Sequence, residues 1–306
     1  MIIIIEGVDC TGKSTLAEEL RQRAQDAGEE VEMIHMGVPQ ADPLIEYEFA
    51  LSGYRPGSGR TIICDRWHLG ADVYGPLKRL DDGLLNASRW HIEAFLRSRG
   101  AFLVLTAPIN EKTHLEMMRE RGEDYITEEE AILVAGGFET AYRKSSLAKT
   151  RMSIPFDTEM IMMKARAAEA GAKALAPFHS YVGPLRPRTL LLGDRKKRDE
   201  KTTEIQMSAE GAFAPYGSSS GKFLINSLLI TAPEPSDMST FGIANANEEE
   251  VDRLWDALYN PLVVALGNEA HLACEKAHVP HKWAYHPAYM RRFMHSKKTT
   301  YGLELR

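Results

Sequence analysis

The chain opens on the apolar run Ile2 to Ile5, which is β-branched throughout and too short for a helix, and so predicts a buried strand. From Ser14 to Gln25 the spacing changes, and Leu16, Ala17, Leu20 and Ala24 recur on one helical face. Val31 to His35, Thr61 to Cys64 and Ala101 to Thr106 are further short strand candidates. Between and after them, helical spacing covers Asn86 to Arg99, Asn110 to Glu120, Glu128 to about Lys149 and Glu159 to Ala174. Short apolar strands alternating with helices predict an α/β fold, a parallel sheet with helices on both faces.

Gly183-Pro184 and Pro187 interrupt this pattern, so the first domain is placed at 1–182 and the second at 188–306. The second half resumes with a strand at Thr189 to Leu192, the charge run Lys196 to Lys201 and the apolar run Phe223 to Ile230. A Pro/Ser-rich turn at Pro233 to Ser239, a helix from Glu248 to Leu258, a strand at Leu262 to Leu266 and a helix from Glu269 to Ala277 complete a second α/β unit. The tail from Arg291 is basic, and its arginines Arg291 and Arg292 suit either a solvated surface or a phosphate backbone.

Composition narrows this picture. Of 306 residues, 44% are hydrophobic and 26% charged, enough apolar material for a sizeable core and unlike a disordered chain. The net charge of −6 disfavours indiscriminate polyanion binding, and three cysteines, Cys10, Cys64 and Cys274, exclude a disulfide-dense scaffold. No signal peptide or membrane-crossing run is apparent, so the expected compartment is the cytoplasm, that of the host if the chain is phage-encoded.

The strongest chemical signal is Gly7-Val8-Asp9-Cys10-Thr11-Gly12-Lys13-Ser14-Thr15, a complete G-x-x-x-x-G-K-S/T pattern between a strand and a helix. Gly7 and Gly12 let backbone amides wrap a phosphate; Thr11 and Thr15 complete the loop and helix start. Lys13 is placed to reach the β- and γ-phosphates of ATP and Ser14 to ligate Mg²⁺. Asp65-Arg66-Trp67 ends the third strand, where Asp65 suits the metal shell and Arg66 a phosphate. Asp9 sits within the loop to orient an acceptor or contact the metal. Arg119 and Arg121, with Gly122, Asp124 and Tyr125, form either a lid over the transferring phosphate or a solvated helix end.

These residues resemble the thymidylate kinase-like branch of P-loop nucleotide kinases. The likeness rests on Ile4-Ile5-Glu6-Gly7-Val8-Asp9 with Gly12-Lys13-Ser14-Thr15, then Asp65-Arg66, then Arg119-Glu120-Arg121-Gly122 and the later Phe138 and Tyr142. It implies a three-layer kinase fold over about 1–180, ATP·Mg²⁺ at Lys13 and Ser14, an acceptor phosphate near Asp9 and Arg66, and a lid at Arg119 or Arg121. One departure concerns the acceptor: where such kinases carry Arg-Glu-Pro after the second strand, this chain has His35-Met36-Gly37-Val38-Pro39. Trp67, His68, Tyr74 and Gly70 to Pro76 look more like phage-type nucleotide kinases. Trp67 and Tyr74 either stack on a pyrimidine or pack the core.

The second half resembles, less specifically, the uracil-DNA glycosylase-like superfamily. Gly193-Asp194, Pro215-Tyr216-Gly217, Asn245 or Asn247, Leu266-Gly267 and His286-Pro287 carry that likeness over about 188–295. It implies recognition of an extruded base at Asp194, Tyr216, Asn245 and His286, with Arg291 and Arg292 near DNA, but not glycosidic cleavage. His278, His281 and His286 lack a carboxylate or Cys partner and read as ordinary hydrogen-bonded histidines. The leading expectation is phosphoryl transfer from ATP to a thymidylate-like or modified pyrimidine nucleotide. The alternatives are a kinase acting on hydroxymethylated pyrimidines in DNA and a DNA-binding ATPase without kinase activity. Expected partners are accordingly a pyrimidine nucleotide or modified DNA, no membrane, and a second copy of the chain as a homodimer.

Overall fold

Five strands form the first sheet, and its central strand is the isoleucine run. In the computed structural model, which describes residues 1–39, 43–79, 86–122, 126–176, 178, 181, 186–193, 223–224, 241–246, 251–287 and 289–290, β1 (Ile2–Glu6) is buried at every position. It pairs in parallel with β3 (Arg60–Asp65) on one side and β4 (Ala101–Thr106) on the other. β2 (Glu30–His35) and β5 (Ala148–Met152) extend the sheet to the order β2-β3-β1-β4-β5, parallel throughout. A strand buried on both faces cannot alternate polar and apolar residues, which is why β1 and β4 read as continuous apolar runs.

One face carries α1 (Lys13–Asp26) and α7 (Thr158–Leu175): Leu16, Leu20 and Ala24 with Ile161 and Ala165 pack on Ile3, Ile5, Ile63, Phe102 and Val104. The opposite-facing Ile2, Ile4, Ile62 and Leu103 are equally buried, so the sheet is an inner layer. The intervening helices are α2 (Pro43–Ala50), α3 (His68–Tyr74) with a π-helical turn at Gly75–Arg79, α4 (Asn86–Ser98), α5 (Glu111–Arg121) and α6 (Glu128–Lys144). The last corrects the expected helix to about Lys149. The chain leaves the helix at the buried pair Ser145 and Ser146, where the Ser146 N–H donates to Glu93 at 2.6 Å, and then enters β5.

Helix ends are set locally. The Asn110 side chain accepts the Thr113 N–H at 2.8 Å at the start of α5, and Gly122 closes it in the left-handed region at φ 65°. Gly100 turns into β4 at φ 69°, where a Cβ would lie 2.5 Å from Glu169 Cα.

Contacts divide the chain into two compact units, one of Met1–Ile92, Ser98–Tyr142 and Leu147–Lys173, the other of Glu93–Arg97, Arg143–Ser146 and Ala174–Arg306. The second contains a four-stranded parallel sheet in the order β7-β6-β8-β9: β6 (Thr189–Gly193), β7 (Phe241–Asn245), β8 (Leu262–Leu266) and β9 (His281–Ala284). Leu190, Leu192, Ala244, Val263 and Ala265 meet Val251 and Leu254 of α8 (Val251–Ala257) and Ala270, Ala273 and Cys274 of α9 (Asn268–Lys276). Much of the expected break, the charge run, the Pro/Ser-rich turn and most of Phe223 to Ile230 lie outside the described residues. Among the described residues no helix is long and apolar enough to cross a membrane.

Candidate active site at the first sheet edge

The loop from Gly7 to Gly12 joins β1 to α1. Gly7 takes φ 146°, and a Cβ there would lie 2.2 Å from the Thr106 carbonyl oxygen, so only glycine fits. Thr11 donates to the Val8 carbonyl at 2.7 Å and lies 2.7 Å from the Thr106 hydroxyl, which donates to the Glu6 carbonyl at 3.1 Å. Thr106, at the end of β4, thus fixes both ends of the loop. Gly12 at φ 83° admits Ile154 and Phe156, which a Cβ would crowd at 2.9 and 3.0 Å.

Lys13 folds back over this loop. Its ammonium donates to the carbonyls of Gly7 and Val8, each at 2.9 Å, and to Asp9 Oδ1 at 3.1 Å, which occupies its three protons. Asp9 is the hub: Arg66 donates to Oδ1 at 2.9 Å and the Tyr74 hydroxyl to Oδ2 at 3.3 Å. Burial pushes the Asp9 carboxyl up, but the Lys13 and Arg66 charges with the hydrogen bonds from Lys13 and Tyr74 outweigh it, and its pKa is lowered. Burial lowers Lys13, with Asp9 opposing; burial and the Asp9 charge raise Tyr74. The Asp9 carbonyl is held as well, 2.8 Å from His114 Nε2 of α5, and because a carbonyl only accepts, that nitrogen carries the proton.

Glu6 is the buried carboxylate that ends β1. Its Oε1 accepts the N–H groups of Trp67, Leu69 and Gly70 at 3.0, 2.8 and 3.4 Å, capping α3 and fixing the chain as it leaves β3. Burial raises its pKa against the opposing pull of His68 and these three N–H groups. Arg66 bridges the turn at φ 68°, donating its N–H to Ile5 at 2.9 Å.

These groups border a cavity of about 330 Å³, lined by Glu6, Gly7, Arg66, Trp67, Tyr74 and Phe138, by Tyr47 of α2, and by Met36 to Pro39 after β2. Trp67 is 2% exposed, its ring 5.1 Å from that of Tyr47, whose hydroxyl donates to the Trp67 carbonyl at 3.2 Å. Tyr74 meets Phe138 edge-on at 5.8 Å. Both predicted aromatics therefore line the cavity and pack against neighbours. A second cavity of about 300 Å³, which shares Phe138 with the first, is lined by Val8, His114, Ile109 and Arg151.

The residues at the metal position fit a divalent cation. Asp65 Oδ2 lies 3.2 Å from His35 Nδ1, whereas the buried Oδ1 has no partner among the described residues, and Ser14 is exposed at the first turn of α1. Thr15 is likewise exposed. An orphaned carboxylate oxygen with a hydroxyl at a helix start is a hard-oxygen donor set suited to Mg²⁺.

The two arginines expected to form a lid lie in the last turn of α5. Arg119, in the last turn of α5, holds Glu128 at the start of α6 through two hydrogen bonds of 2.5 and 2.7 Å, and Arg121 is exposed. The Glu128 hydrogen bond raises the pKa of Arg119. Asp124 and Tyr125 lie outside the described residues, as do Asp194, Tyr216, Asn247, Arg291 and Arg292. Asn245 closes β7 and His286 follows β9, the two outer strands of their sheet; three strand spacings separate those strands by about 14 Å. His281 lies 2.7 Å from His271 and donates from Nδ1 to the Val279 carbonyl at 2.9 Å.

Sequence reasoning assigned no role to Glu6, Thr106, Tyr47 or His114. Only Glu6 carried a signal, a carboxylate ending an otherwise apolar strand directly before the loop. The others come from helices and strands distant in the chain.

No protein-family model matches the chain, and no curated protein matches it. Among solved structures it is similar to the YorR protein of Bacillus subtilis in complex with phosphorylated GDP, at 19% identity over 58% of this chain and 99% of that one, with a TM-score of 0.43. It is also similar to polyphosphate kinase 2 of Arthrobacter aurescens TC1, at 13% identity over 57% of this chain and 68% of that one, with a TM-score of 0.38.

Proposed function

We propose that the chain is an ATP- and Mg²⁺-dependent phosphotransferase whose acceptor, a pyrimidine nucleotide, sits in the aromatic cavity beside Arg66. The observation that carries this reading is the convergence of Lys13, Arg66 and Tyr74 on Asp9, where the phosphate loop and the cavity share Gly7. The cavity's size of about 330 Å³ falls in the range of ligand pockets.

In the transfer the acceptor oxygen forms a bond to the γ-phosphorus as the bond from that phosphorus to the bridging oxygen breaks and ADP leaves. Lys13 exchanges its loop carbonyls for β- and γ-phosphate oxygens, and the loop amides hold the chain of phosphates in line. Arg66 meets charge between acceptor and donor, and Asp9, ionised at neutral pH, keeps both cations oriented until phosphate replaces it. Trp67, Tyr47 and Phe138 exclude water from the acceptor side. Mg²⁺ held through Ser14 and Asp65 supplies charge neutralisation on the phosphate oxygens.

A second acceptor, a hydroxymethylated pyrimidine within DNA, is favoured by one feature. Arg66 is the one cationic side chain among the described residues lining the cavity, because Met36 to Pro39 bring none. One guanidinium compensates a doubly charged monophosphate only in part, whereas a neutral hydroxyl needs no such compensation. Transfer of labelled γ-phosphate from ATP to thymidylate, to other pyrimidine nucleotides and to DNA with normal or hydroxymethylated pyrimidines tests these readings. Label on a free nucleotide supports the first acceptor and label on modified DNA alone the second. Phosphate release without a labelled product overturns both in favour of an ATPase.

A further inference from the structure

Two histidines of the second unit face each other at the start of β9. His271 stands on α9, Glu275 follows it one turn later, and His281 opens the strand. His271 Nδ1 lies 2.7 Å from His281 Nε2, with the ring centroids 5.0 Å apart. The far nitrogen of each ring has an acceptor of its own: His281 Nδ1 donates to the Val279 carbonyl at 2.9 Å, and His271 Nε2 lies 3.5 Å from Glu275 Oε1. Spacing along the chain groups His281 with His278 and His286, but the fold pairs it with His271 and supplies the carboxylate that the other grouping lacks.

The proton count of two neutral rings does not fit this arrangement. A neutral imidazole carries one N–H. His281 gives its proton to Val279, so its Nε2 is a bare lone pair, and the proton in the 2.7 Å contact belongs to His271 Nδ1. His271 Nε2 then turns another lone pair to the Glu275 carboxylate, a contact with no proton in it. A cation between the rings removes the conflict: the His271 proton moves to Nε2, where Glu275 accepts it, and Nδ1 joins His281 Nε2 as a ligand. Each ring then offers one nitrogen to the ion and its other N–H to a carboxylate or backbone carbonyl, as metal-bound histidines do.

Imidazole nitrogens select zinc, copper or nickel over magnesium and calcium. Two Zn–N bonds at a tetrahedral angle span about 3.3 Å, so the rings need part by only about 0.6 Å. The His271 side chain is 34% exposed, which leaves an ion a way in. Among the described residues no third His, Cys, Asp or Glu completes the set, so water fills the remaining positions.

We infer that His271 Nδ1 and His281 Nε2 bind a divalent transition-metal ion of the zinc class, with Glu275 and the Val279 carbonyl orienting the rings. The ion ties α9 to an outer strand of the second sheet. This stands apart from the phosphoryl-transfer reading, since neither the phosphate loop nor Asp65 takes part.

The test is calorimetric titration of Zn²⁺ into the full chain, without nucleotide and in excess Mg²⁺. An equivalent of Zn²⁺ should bind that His271→Asn and His281→Asn each remove and Asp65→Asn retains. Glu275→Ala, at an exposed position, leaves both rings in place and should weaken that equivalent by about 10-fold, the usual cost of losing an outer partner of a ligating histidine. Far-UV circular dichroism of the metal-free variants separates lost binding from lost fold. A second proton on His271 would meet the same conflict without an ion, and it predicts no such equivalent. No Zn²⁺ bound, Zn²⁺ bound as tightly after either histidine is replaced, or an affinity that Glu275→Ala leaves unchanged would overturn the inference.

Discussion

Both parallel sheets launch a helix from the C-terminal end of an interior strand through a positive-φ glycine, but they put different lengths of chain in the turn. In the first, six residues from Gly7 to Gly12 separate β1 from α1. In the second, Gly267 alone, at φ 108°, separates β8 from α9. A one-residue turn cannot curl its amides around a phosphate, and Glu269 places a negative charge in the first turn of α9 where α1 has no acid. At the first edge the cations Lys13 and Arg66 are tied to Asp9 beside a half-open cavity, whereas the second edge exposes the rings of Trp283, Tyr285 and Tyr289. The same βα architecture is therefore built once with a loop long enough to wrap a phosphate and once without it.

The sharpest way to break this contrast is Lys13→Ala. Loss of the ammonium should lower the transfer rate constant by about 10²- to 10³-fold, the usual cost of one preorganised charge-stabilising donor, with an unchanged far-UV circular dichroism spectrum. At the other edge, Glu269→Gln should alter transfer by less than about twofold, as for an ordinary surface substitution. Full transfer by the Lys13 variant would remove the loop from the reaction.

Gly7→Ala comes next and tests the loop as architecture. The new Cβ meets the Thr106 carbonyl at 2.2 Å in a backbone region that excludes side chains. Strain and overpacking each cost about 1–3 kcal/mol, which should appear as a lower urea midpoint together with lost transfer. A variant as stable as the parent would mean that the turn takes up another conformation.

How much of this was legible in the sequence differs between the two edges. Four strands of the first unit, β1 to β4, followed from apolar runs and turns, though their order in the sheet did not, and Lys13, Asp9 and Arg66 follow from a contiguous motif and the end of one strand. β5 was missed because Ala148–Met152 carries Lys149 and Arg151, so it reads as the continuation of an amphipathic helix until the two buried serines are seen. Glu6 capping α3, Thr106 pinning the loop and His114 holding Asp9 are long-range pairings of 63, 95 and 105 residues, to which local periodicity is blind. At the second edge Trp283 and Tyr285 stand two residues apart, at the strand period, but Tyr289 joins them only through the turn at His286-Pro287.

His114 gives a smaller and more selective effect. It reaches no cavity wall of the acceptor side, but it fixes the peptide that follows Asp9, where Cys10 is held at φ 62°. His114→Leu removes that donor at similar volume and should lower transfer by about 5- to 10-fold, the worth of one ordinary hydrogen bond, mainly in kcat. His114→Gln, which can again present an N–H, should recover most of it. Equal losses in both variants would assign His114 to packing alone.

The smallest effect concerns Glu6, and it is read through pH. Its folded pKa is raised above 4.5, so as pH rises past 4.5 the unfolded chain gives up this proton first, and the folded state loses relative stability until its own pKa is passed. Asp9 works oppositely: its lowered pKa stabilises the fold above 3.8 and is lost as pH falls through the folded value. Glu6→Gln keeps an oxygen for the three N–H groups of α3 and stays neutral, so the variant should gain on the parent as pH rises from 4 to 7. Urea unfolding of both proteins across that range isolates the Glu6 contribution, because Asp9 is common to each. A difference that stays flat would mean that Glu6 ionises as easily in the fold as out of it, with the capping N–H groups and His68 fully offsetting burial.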